Sequence, residues 1–427
     1  MKTLILDGSH ANDPQVVSII NALHAHLPEA ETIILREQKI GNCAGDFFCW
    51  VRNPGMCNTD DDNRLIAARI MQSDLVVCLT PVTFGGYSSG LKRMVDHQIQ
   101  NISPFFAKIQ GEVHHQKRYT KYPNLLTIGW MDEPNTRAES IFRNLVHRNA
   151  INMYAKIAVC GLIIGRQTEA HLISQTKLWL EAVDSGSSSP VPALPSLDIA
   201  SIDATPIRRA VLLVGSPRTK KSTSASLGGY LFEVLTARGI ETQTIYIYTS
   251  LNSPDRLKFM LESIDNADLA VLAFPLYVDS LPAPVICALE KITAHRTGNH
   301  LPIQFAAIAN CGFPGADHND TALAICSEFA HQNGFAWMGG LALGAGEGIV
   351  HGTPLNELDG RANPLKKALD LAAEGLASGH AIPHSASDLL AKPIIPGWMY
   401  TLMGRYGWKQ RAKKYSAQRR MRARPYQ

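Results

Sequence analysis

At 427 residues, 45% of them hydrophobic and 18% charged, the chain is long for one domain, comfortable for two, and too apolar to be wholly disordered. Its net charge of +4 is uneven: residues 389–427 hold ten Lys or Arg and no Asp or Glu, and subtracting +10 from +4 leaves −6 for the rest. Eight cysteines without a signal peptide indicate reduced thiols, and no stretch approaches the roughly 20 apolar residues of a membrane span, so we expect a cytoplasmic protein.

The first domain is predicted at 1–182. Short apolar runs predict strands, which alternate with amphipathic helices such as Asn63–Gln72 and Ser89–Ile99. The predicted strands are Thr3–Leu6, Thr32–Leu35, Leu75–Leu79, Leu125–Gly129 and Ile157–Ile164. Near-continuous apolar strands that alternate with helices are typical of a parallel sheet covered on both faces.

A Ser- and Pro-rich stretch, 183–206, is predicted to be a linker, and a second domain follows at 207–385. Its predicted strands are Ala210–Val214, Thr242–Tyr246, Leu269–Phe274, Gln304–Asn310 and Met338–Leu343. Its predicted helices include Ser224–Arg238, Pro284–Thr297, Asp320–Gly334 and Asn363–Ser378. The fold class is therefore α/β, with two tandem, doubly wound, five-stranded parallel sheets.

The two domains repeat the same features. The run Leu6-Asp7-Gly8-Ser9 is matched by Leu213-Val214-Gly215-Ser216, and each stands between a strand and a helix. In a doubly wound sheet, a ligand binds beyond the carboxyl ends of the strands, where the strand order reverses. The loops after the first, third and fourth strands are therefore the candidate site in each domain.

The turn after the first strand of the second domain, residues 215–224, combines Ser and Thr hydroxyls with three cations at a helix start. Such a turn suits a phosphate monoester, although an ordinary helix-capping turn has the same residue types. Neither a G-x-G-x-x-G nor a G-x-x-x-x-G-K-[ST] motif is present. The later loops add an aromatic wall at Tyr277 and an open backbone at Gly312, which together suit FMN.

Both domains resemble the flavodoxin-like NAD(P)H-dependent FMN reductases, through Gly215-Ser216-Pro217-Arg218 and Pro275-Leu276-Tyr277. The first is similar to the iron–sulfur flavoprotein branch of that superfamily, through the cysteine loop 43–57 and the run 80–92. In the second domain, the resemblance implies phosphate contacts from Ser216, Arg218, Ser222, Thr223 and Ser224, and ring contacts from Pro275, Leu276, Tyr277, Val278, Cys311, Gly312 and Phe313. In the first domain, it implies contacts from Ser9, Pro81, Val82, Thr83, Phe84 and Gly85.

Two departures weaken the first domain as a cofactor site. Asp46 stands where the family has its second cysteine, and the three thiols of Cys43, Cys49 and Cys57 argue against an iron–sulfur cluster. We expect no metal there, with zinc on the same thiols as a less favoured alternative. Asp13 would repel a phosphate, and Thr83 replaces the family's usual Tyr, so this domain is expected to bind FMN weakly or not at all.

The resemblance implies an FMN-dependent NAD(P)H oxidoreductase that passes hydride to a small acceptor: a quinone, a nitro or azo compound, a flavin or a metal ion. Because the flavin carries the chemistry, no catalytic side chain is expected. The alternative is a non-catalytic, flavodoxin-like electron carrier or scaffold. The sequence does not distinguish NADH from NADPH.

The basic segment 386–427 places aromatic and Met side chains before its cationic run. It suits an anionic membrane surface, a sister subunit in a homo-oligomer, or nonspecific RNA, or it lies as an amphipathic segment on its own protein. No nucleic-acid-binding module accompanies it, so no specific nucleic acid partner is expected.

Overall fold

The computed structural model of the chain describes residues 1–197, 199, 206–298 and 302–427. Within them, the chain forms two compact units, Met1–Leu194 with Thr401–Gln427, and Pro195–Tyr400. The first division falls inside the predicted linker, whose residues 198 and 200–205 lie outside the described part. The second falls inside the predicted basic segment, so that only its residues from Thr401 onward belong to the first unit.

The first unit is built on a parallel sheet in the order β2-β1-β3-β7-β8, with β4 antiparallel to β3. Its strands are β1 Thr3–Asp7, β2 Glu31–Ile34, β3 Leu75–Thr83, β4 Gly86–Tyr87, β5 Ile102–Ile109, β6 Glu112–Lys117, β7 Asn124–Met131 and β8 Ala158–Ile164. The helices are α1 Pro14–His26, α2 Phe48–Val51, α3 Asp62–Met71, α4 Ser89–Asp96, α5 Thr136–Asn152 and α6 Glu169–Asp184. The strand order 2-1-3-4-5 of the main sheet is the flavodoxin-like order, which confirms the predicted fold class.

The first unit also contains an antiparallel hairpin, β5–β6, that the apolar runs do not predict. Its turn residues Gln110 and Gly111 both have positive φ, 50° and 93°, as a two-residue type I′ turn requires. The strands carry Pro104 and two His, so their apolar pattern is broken and a period-2 alternation is not visible in the sequence.

The second unit has one parallel sheet in the order β10-β9-β11-β12-β13. The strands are β9 Arg209–Val214, β10 Glu241–Tyr246, β11 Leu269–Pro275, β12 Gln304–Asn310 and β13 Ala336–Leu343. The helices are α7 Thr223–Ala237, α8 Ile247–Ser250, α9 Pro254–Asp265, α10 Ala283–Arg296, α11 Asp320–Gln332, α12 Gly346–Ile349, α13 Asn363–Ala377, α14 His384–Ala391 and α15 Gly397–Lys413, which runs past the end of this unit. All five predicted strands are present, and their ends move by at most two residues.

The position of α7 is set by a close approach to the sheet. A Cβ on Gly228 would lie 2.6 Å from a methyl carbon of Leu212 on β9 and 3.2 Å from Ala273 on β11. Glycine therefore lets the helix lie directly against the first and third strands of the sheet. This contact carries the N-terminus of α7 to the point where the strand order reverses, between β9 and β11.

Residues 401–427 lie against the first unit. Ala412, Ala417 and Met421 are buried, and Trp408 makes an edge contact with Trp50 at a centroid distance of 5.1 Å. Arg118 Nη1 donates hydrogen bonds to the carbonyls of Met421 and Ala423 at 3.1 and 2.8 Å. The sequence is compatible with four locations for the basic segment: a membrane surface, a sister subunit, RNA or its own protein. In the structure, residues 401–427 lie on their own protein. Among the described residues, no helix combines the length and apolar character needed to cross a bilayer.

Candidate functional site

The turn between β9 and α7 brings the positive end of a helix to the carboxyl edge of the second sheet. Ser222 is the N-cap of α7: its Oγ accepts a hydrogen bond from Ala225 N at 3.1 Å and donates one to Thr219 O at 2.7 Å. The Gly215 N–H donates to Ala273 O at 2.8 Å, which fixes the start of the turn beside β11. The cap is neutral, so the partial positive charge of the helix end is not cancelled by a side chain of the cap itself.

Asn310, at the carboxyl end of β12, joins three elements of this site. Its Nδ2 donates hydrogen bonds to Ser224 Oγ on α7 and to Phe274 O on β11, both at 2.9 Å. The Leu276 N–H in turn donates to Asn310 O at 2.8 Å. These bonds hold the loops after the first, third and fourth strands in fixed positions.

The hydroxyl groups of the turn face inward. The four predicted hydroxyl residues are at most 2% exposed and comprise Ser216, Ser222, Thr223 and Ser224. Thr223 Oγ1 donates to Gly346 O at 3.4 Å, and the other three hydroxyls also have partners within the turn or on Asn310. The structure thus gives these hydroxyls a role in shaping the turn, which leaves the backbone N–H groups as its natural anion ligands.

Arg218 is paired with a carboxylate that the sequence pattern does not reveal. Its guanidinium contacts both oxygens of Glu347 on α12, with Nη1 at 3.0 Å from Oε1. Burial alone would lower the pKa of Arg218, but the hydrogen bonds and charge of Glu347 raise it overall. The predicted phosphate ligand Arg218 therefore already has an anionic partner within the chain. The 129-residue separation of the two residues explains why spacing alone does not predict the pair.

The loop after β11 contains a strained turn and an unpartnered hydroxyl. Val278 and Asp279 both have positive φ, 47° and 55°, and backbone bonds between Tyr277 and Ser280 close the turn. Ser280 is fully buried, and its Oγ has no hydrogen-bond partner. A buried hydroxyl without a partner is costly, and strain of this kind concentrates at binding sites.

The loop after β12 has a buried thiol and an open backbone position. Cys311 is 3% exposed, and burial raises its pKa to about 12. Its Sγ lies 3.5 Å from Phe313 O and 3.4 Å from Gly315 O, as a protonated thiol donor does. A Cβ added to Gly312 would meet nothing within 4 Å, so this backbone faces open space. Cys311 is thus structural, whereas Gly312 leaves room beside the sheet edge.

In the first unit, the corresponding turn is closed by an internal ion pair. Arg36 Nη1 donates to Asp7 Oδ2 at 2.8 Å and to Ser9 Oγ at 2.9 Å. Ser9 is only 4% exposed, and its N–H donates to Asp7 Oδ1. The hydroxyl that the resemblance assigns to a phosphate therefore contacts Arg36 instead.

The start of α1 carries a carboxylate. Asp13 is the N-cap: its Oδ1 accepts from Gln15 N at 3.0 Å, and its Oδ2 accepts from Trp130 Nε1 at 2.9 Å. The positive helix end thus already has a negative group beside it, as the sequence indicates.

Beside Asp13 lies a cavity of about 610 Å³ at the carboxyl ends of β3 and β7. Of the six predicted contacts in this unit, Pro81 and Val82 line the cavity, and Ser9, Thr83, Phe84 and Gly85 do not. Thr83 instead ends β3 and pairs with Gly86 of β4. The two turn residues between them, the buried Phe84 and Gly85, have positive φ angles of 52° and 79°.

The cysteine loop does not form an open metal site. Cys43, Cys49 and Cys57 line a cavity of only about 30 Å³, about the volume of one water molecule. Burial raises the pKa of Cys43 to about 12 and also raises that of Cys49, so two of the three sulfurs are protonated thiols. For Cys57, burial acts in the same direction, but its hydrogen bond with His97 lowers the pKa overall. These pKa directions hold for the thiols without a metal ion, because a bound metal ion releases their protons. The loop brings three thiols and the imidazole of His97 to one small cavity, whereas an iron–sulfur cluster is held mainly by four thiolates.

Comparisons with known proteins place this geometry in context. Residues 1–113 match the model of the family described as NADPH-dependent FMN reductase. No curated protein matches the chain. Similar solved structures include a putative quinone reductase from Klebsiella pneumoniae, with 17% identity over 41% of this chain and 87% of that one, at a TM-score of 0.30.

Two further structures are an FMN-dependent NADH-azoreductase from Bacillus anthracis and an NAD(P)H:quinone oxidoreductase from Methanothermobacter marburgensis. The azoreductase is 11% identical, and the match covers 40% of this chain and 99% of the azoreductase chain. The quinone oxidoreductase is 13% identical, and the match covers 41% of this chain and 96% of the oxidoreductase chain. Both matches have a TM-score of 0.30. Likenesses at this level carry no argument about substrate. The match over residues 1–113 confirms the predicted resemblance to the NADPH-dependent FMN reductases within the first domain, and it does not extend into the second domain.

Proposed function

We propose that the protein is an FMN-dependent NAD(P)H oxidoreductase whose flavin is held at the carboxyl edge of the second sheet. The observation that carries the proposal is the N-terminus of α7, capped by the neutral Ser222 and delivered to the switch point between β9 and β11. This is the position at which a doubly wound sheet binds its ligand, and a helix N-terminus binds phosphate.

The residues present fit the two chemical ends of FMN. The N–H groups of Gly215, Thr219 and Lys221 donate to carbonyl oxygens of the chain, so a dianionic phosphate would bind to the first N–H groups of α7 and to the exposed ammonium groups of Lys220 and Lys221. The loop after β11 offers Ser280 Oγ, a buried hydroxyl that lacks a partner and that a polar ring edge would satisfy. In the loop after β12, a Cβ on Gly312 would meet nothing within 4 Å, which leaves room for a flat group, and the Gly312 carbonyl accepts a hydrogen bond from the Tyr400 hydroxyl at 2.8 Å.

When bound, FMN would supply the hydride chemistry, taking a hydride from NAD(P)H and giving it to a second substrate. The contribution of the chain is to bind, orient and exclude water. Asn310 fixes the three loops relative to one another, and the strained turn at Val278 and Asp279 holds Ser280 in place. No side chain needs to act as a general base.

The ion pair with Glu347 determines whether Arg218 can contact a bound phosphate. A phosphate beside Arg218 brings two negative groups to one guanidinium, and like charges at short range repel. Glu347 lies on α12, a helix of four residues, and its carboxylate also lies 3.2 Å from His351 Nδ1. We infer that the Glu347 carboxylate moves away from Arg218 when the phosphate binds.

The proposed acceptor is a small molecule, and quinones and nitro or azo aromatics are the first candidates. A reduced flavin ring at an open sheet edge would contact any of these compounds through the same face. A membrane-surface role, a homo-oligomer and a cytoplasmic location remain proposals. The rival function is a flavodoxin-like electron carrier, in which a flavin is bound but is not reduced by a nicotinamide.

Flavin titration of the full-length protein tests the proposal. We expect FMN to bind to the protein. Under anaerobic conditions, we expect NADPH or NADH to bleach the absorbance of the bound FMN at a rate similar to the rate of quinone reduction. Bound FMN that neither nucleotide bleaches favours the electron carrier. Failure of the second domain to bind FMN contradicts the proposal. Substitutions of Ser222 test whether FMN binds in that domain.

A further inference from the structure

The cavity of about 610 Å³ in the first unit has no place in the proposed flavin site of the second. It lies at the carboxyl ends of β3 and β7 and extends to the start of α1. Its volume is within the range of about 300–1,000 Å³ that is typical of pockets for small organic ligands. We propose that this cavity is a second binding site, which takes a neutral planar ring compound without a phosphate group.

The exclusion of phosphate follows from Asp13. Its carboxylate caps α1 through Gln15 N and also accepts the indole N–H of Trp130, so it is held at the helix end by two hydrogen bonds. This is the position that a phosphate would need, because the helix amides point there. A bound phosphate would meet a fixed negative charge instead of a free positive helix end.

No cation of the neighbouring turn offsets that charge. Arg36 donates hydrogen bonds to Asp7 and Ser9, and the Asp7 side chain is 1% exposed, so the guanidinium is held by a buried carboxylate. Among the residues that line the cavity, Asp13 and Asp132 oppose the single guanidinium of Arg166. The site therefore disfavours anions.

The preference for a flat, neutral ring follows from the other lining residues. Pro81, Val82 and Leu172 contribute apolar surface, and Trp130 adds an indole whose orientation is fixed by Asp13. Gln167 supplies an amide whose Nε2 donates to Ile164 O at 2.6 Å and whose oxygen can accept a hydrogen bond from a ligand. A few polar groups among apolar and aromatic walls are typical of a site for a neutral heteroaromatic compound.

Riboflavin and FMN are the matched probes, because they share a ring and differ in the phosphate. Binding of each to the full-length protein is measured by equilibrium dialysis. Each flavin is raised to saturation of the second-domain site, which riboflavin fills through its ring alone. We then expect one more molecule of riboflavin than of FMN to bind per chain, with at least a tenfold preference for riboflavin at the additional site. Equal numbers of the two flavins bound to the native protein would overturn the proposal.

Two variants locate the additional molecule. Ser18 lines the cavity from α1, whereas its neighbour Val17 is 58% exposed and does not line it. Ser18→Trp is expected to abolish binding of the additional riboflavin and to leave FMN binding unchanged, and Val17→Trp is expected to change neither. Retention of the additional riboflavin by Ser18→Trp excludes this cavity. Unchanged FMN binding also shows that the variant is folded.

Asp13→Ser tests the reason for the discrimination. Serine still caps the helix, but it removes the charge and frees the Trp130 N–H as a donor. We expect FMN affinity at this cavity to rise at least tenfold, with riboflavin affinity changed less than threefold. No gain for FMN contradicts the role given to Asp13. A native chain that binds riboflavin here but no FMN in its second domain would contradict the proposed function and leave this inference intact.

Discussion

The two domains have the same strand order and differ in what stands at the helix that follows the first strand. Asp13 caps α1 with a charged group, and Ser222 caps α7 with a neutral one. Both residue types are good caps, so the stability of either helix does not require the choice. The difference predicts that the positive end of α7, unlike that of α1, is available to an external anion.

The cations beside the two turns differ in the same way. Arg36 is paired with Asp7, at the end of β1 and 1% exposed in its side chain, whereas Arg218 is paired with Glu347, on the short helix α12 and 20% exposed. The two arginines are similarly exposed, at 34% and 31%, so the pairs differ in the burial of the carboxylate. We expect the pair with the more exposed Glu347 to open more readily, and the second domain therefore stays the predicted phosphate site.

The largest expected effect comes from giving the second domain the cap of the first. Ser222→Asp keeps an N-cap on α7 but places a negative charge at the predicted phosphate position. FMN affinity is expected to fall about 100-fold, which is about 2.7 kcal/mol, because the two anions would be only a few ångströms apart. Riboflavin affinity in this domain, measured in the same dialysis experiment, is expected to change far less.

The control for this variant is Ser253→Asp, at the N-cap of α9 in the same domain. It introduces the same charge at an equivalent helix position outside the turn, and FMN affinity is expected to stay within about twofold. Equal losses in the two variants would mean that α7 does not hold the phosphate.

A smaller effect is expected when the turn loses its side chains. Arg218→Ala with Ser222→Ala removes the guanidinium and the cap, and we expect about a tenfold loss of FMN affinity, because the backbone amides remain. Ser9→Ala in the first domain is expected to leave FMN retention unchanged, since the Ser9 hydroxyl contacts Arg36. FMN content after gel filtration compares the variants. If all lose flavin equally, the assignment of the stronger site to the second domain is wrong.

Much of this architecture follows from local sequence patterns. The inner strands are apolar runs buried on both faces, such as Ala210–Val214, and the edge strands β2 and β10 are shorter apolar runs that are partly exposed, so the ten parallel strands of the two main sheets can be predicted from the sequence. The hairpin β5–β6 cannot be predicted in this way, because its polar and Pro residues conceal the alternation. It also packs on residues distant in sequence, such as Trp50, whose ring centroid lies 4.5 Å from that of His115. The packing of residues 401–427 on the first unit depends on contacts such as Arg118 with Ala423, which span 305 positions.

Some features of the candidate site can likewise be predicted from the sequence, and others cannot. The turns and their capping residues follow from short motifs, and Asp13 is identified as unfavourable to phosphate from its charge alone. The roles of individual side chains do not follow, because Ser224 and Arg218 are occupied by Asn310 and Glu347 from other loops. Motifs thus predict where a site lies, while tertiary pairing decides which atoms remain available.

The smallest effect is expected from a substitution of Glu347, the carboxylate partner of Arg218. Glu347→Gln keeps the shape of the side chain but removes its charge, so that phosphate no longer competes with a carboxylate for the guanidinium. FMN affinity is expected to rise about threefold to tenfold at low salt and less at high salt, because exposed charges are screened. Riboflavin affinity is expected to stay the same, and Glu357→Gln, in a neighbouring surface turn, is the control for a general change in charge. A fall in FMN affinity would show that Glu347 positions Arg218 for the phosphate and does not compete with it.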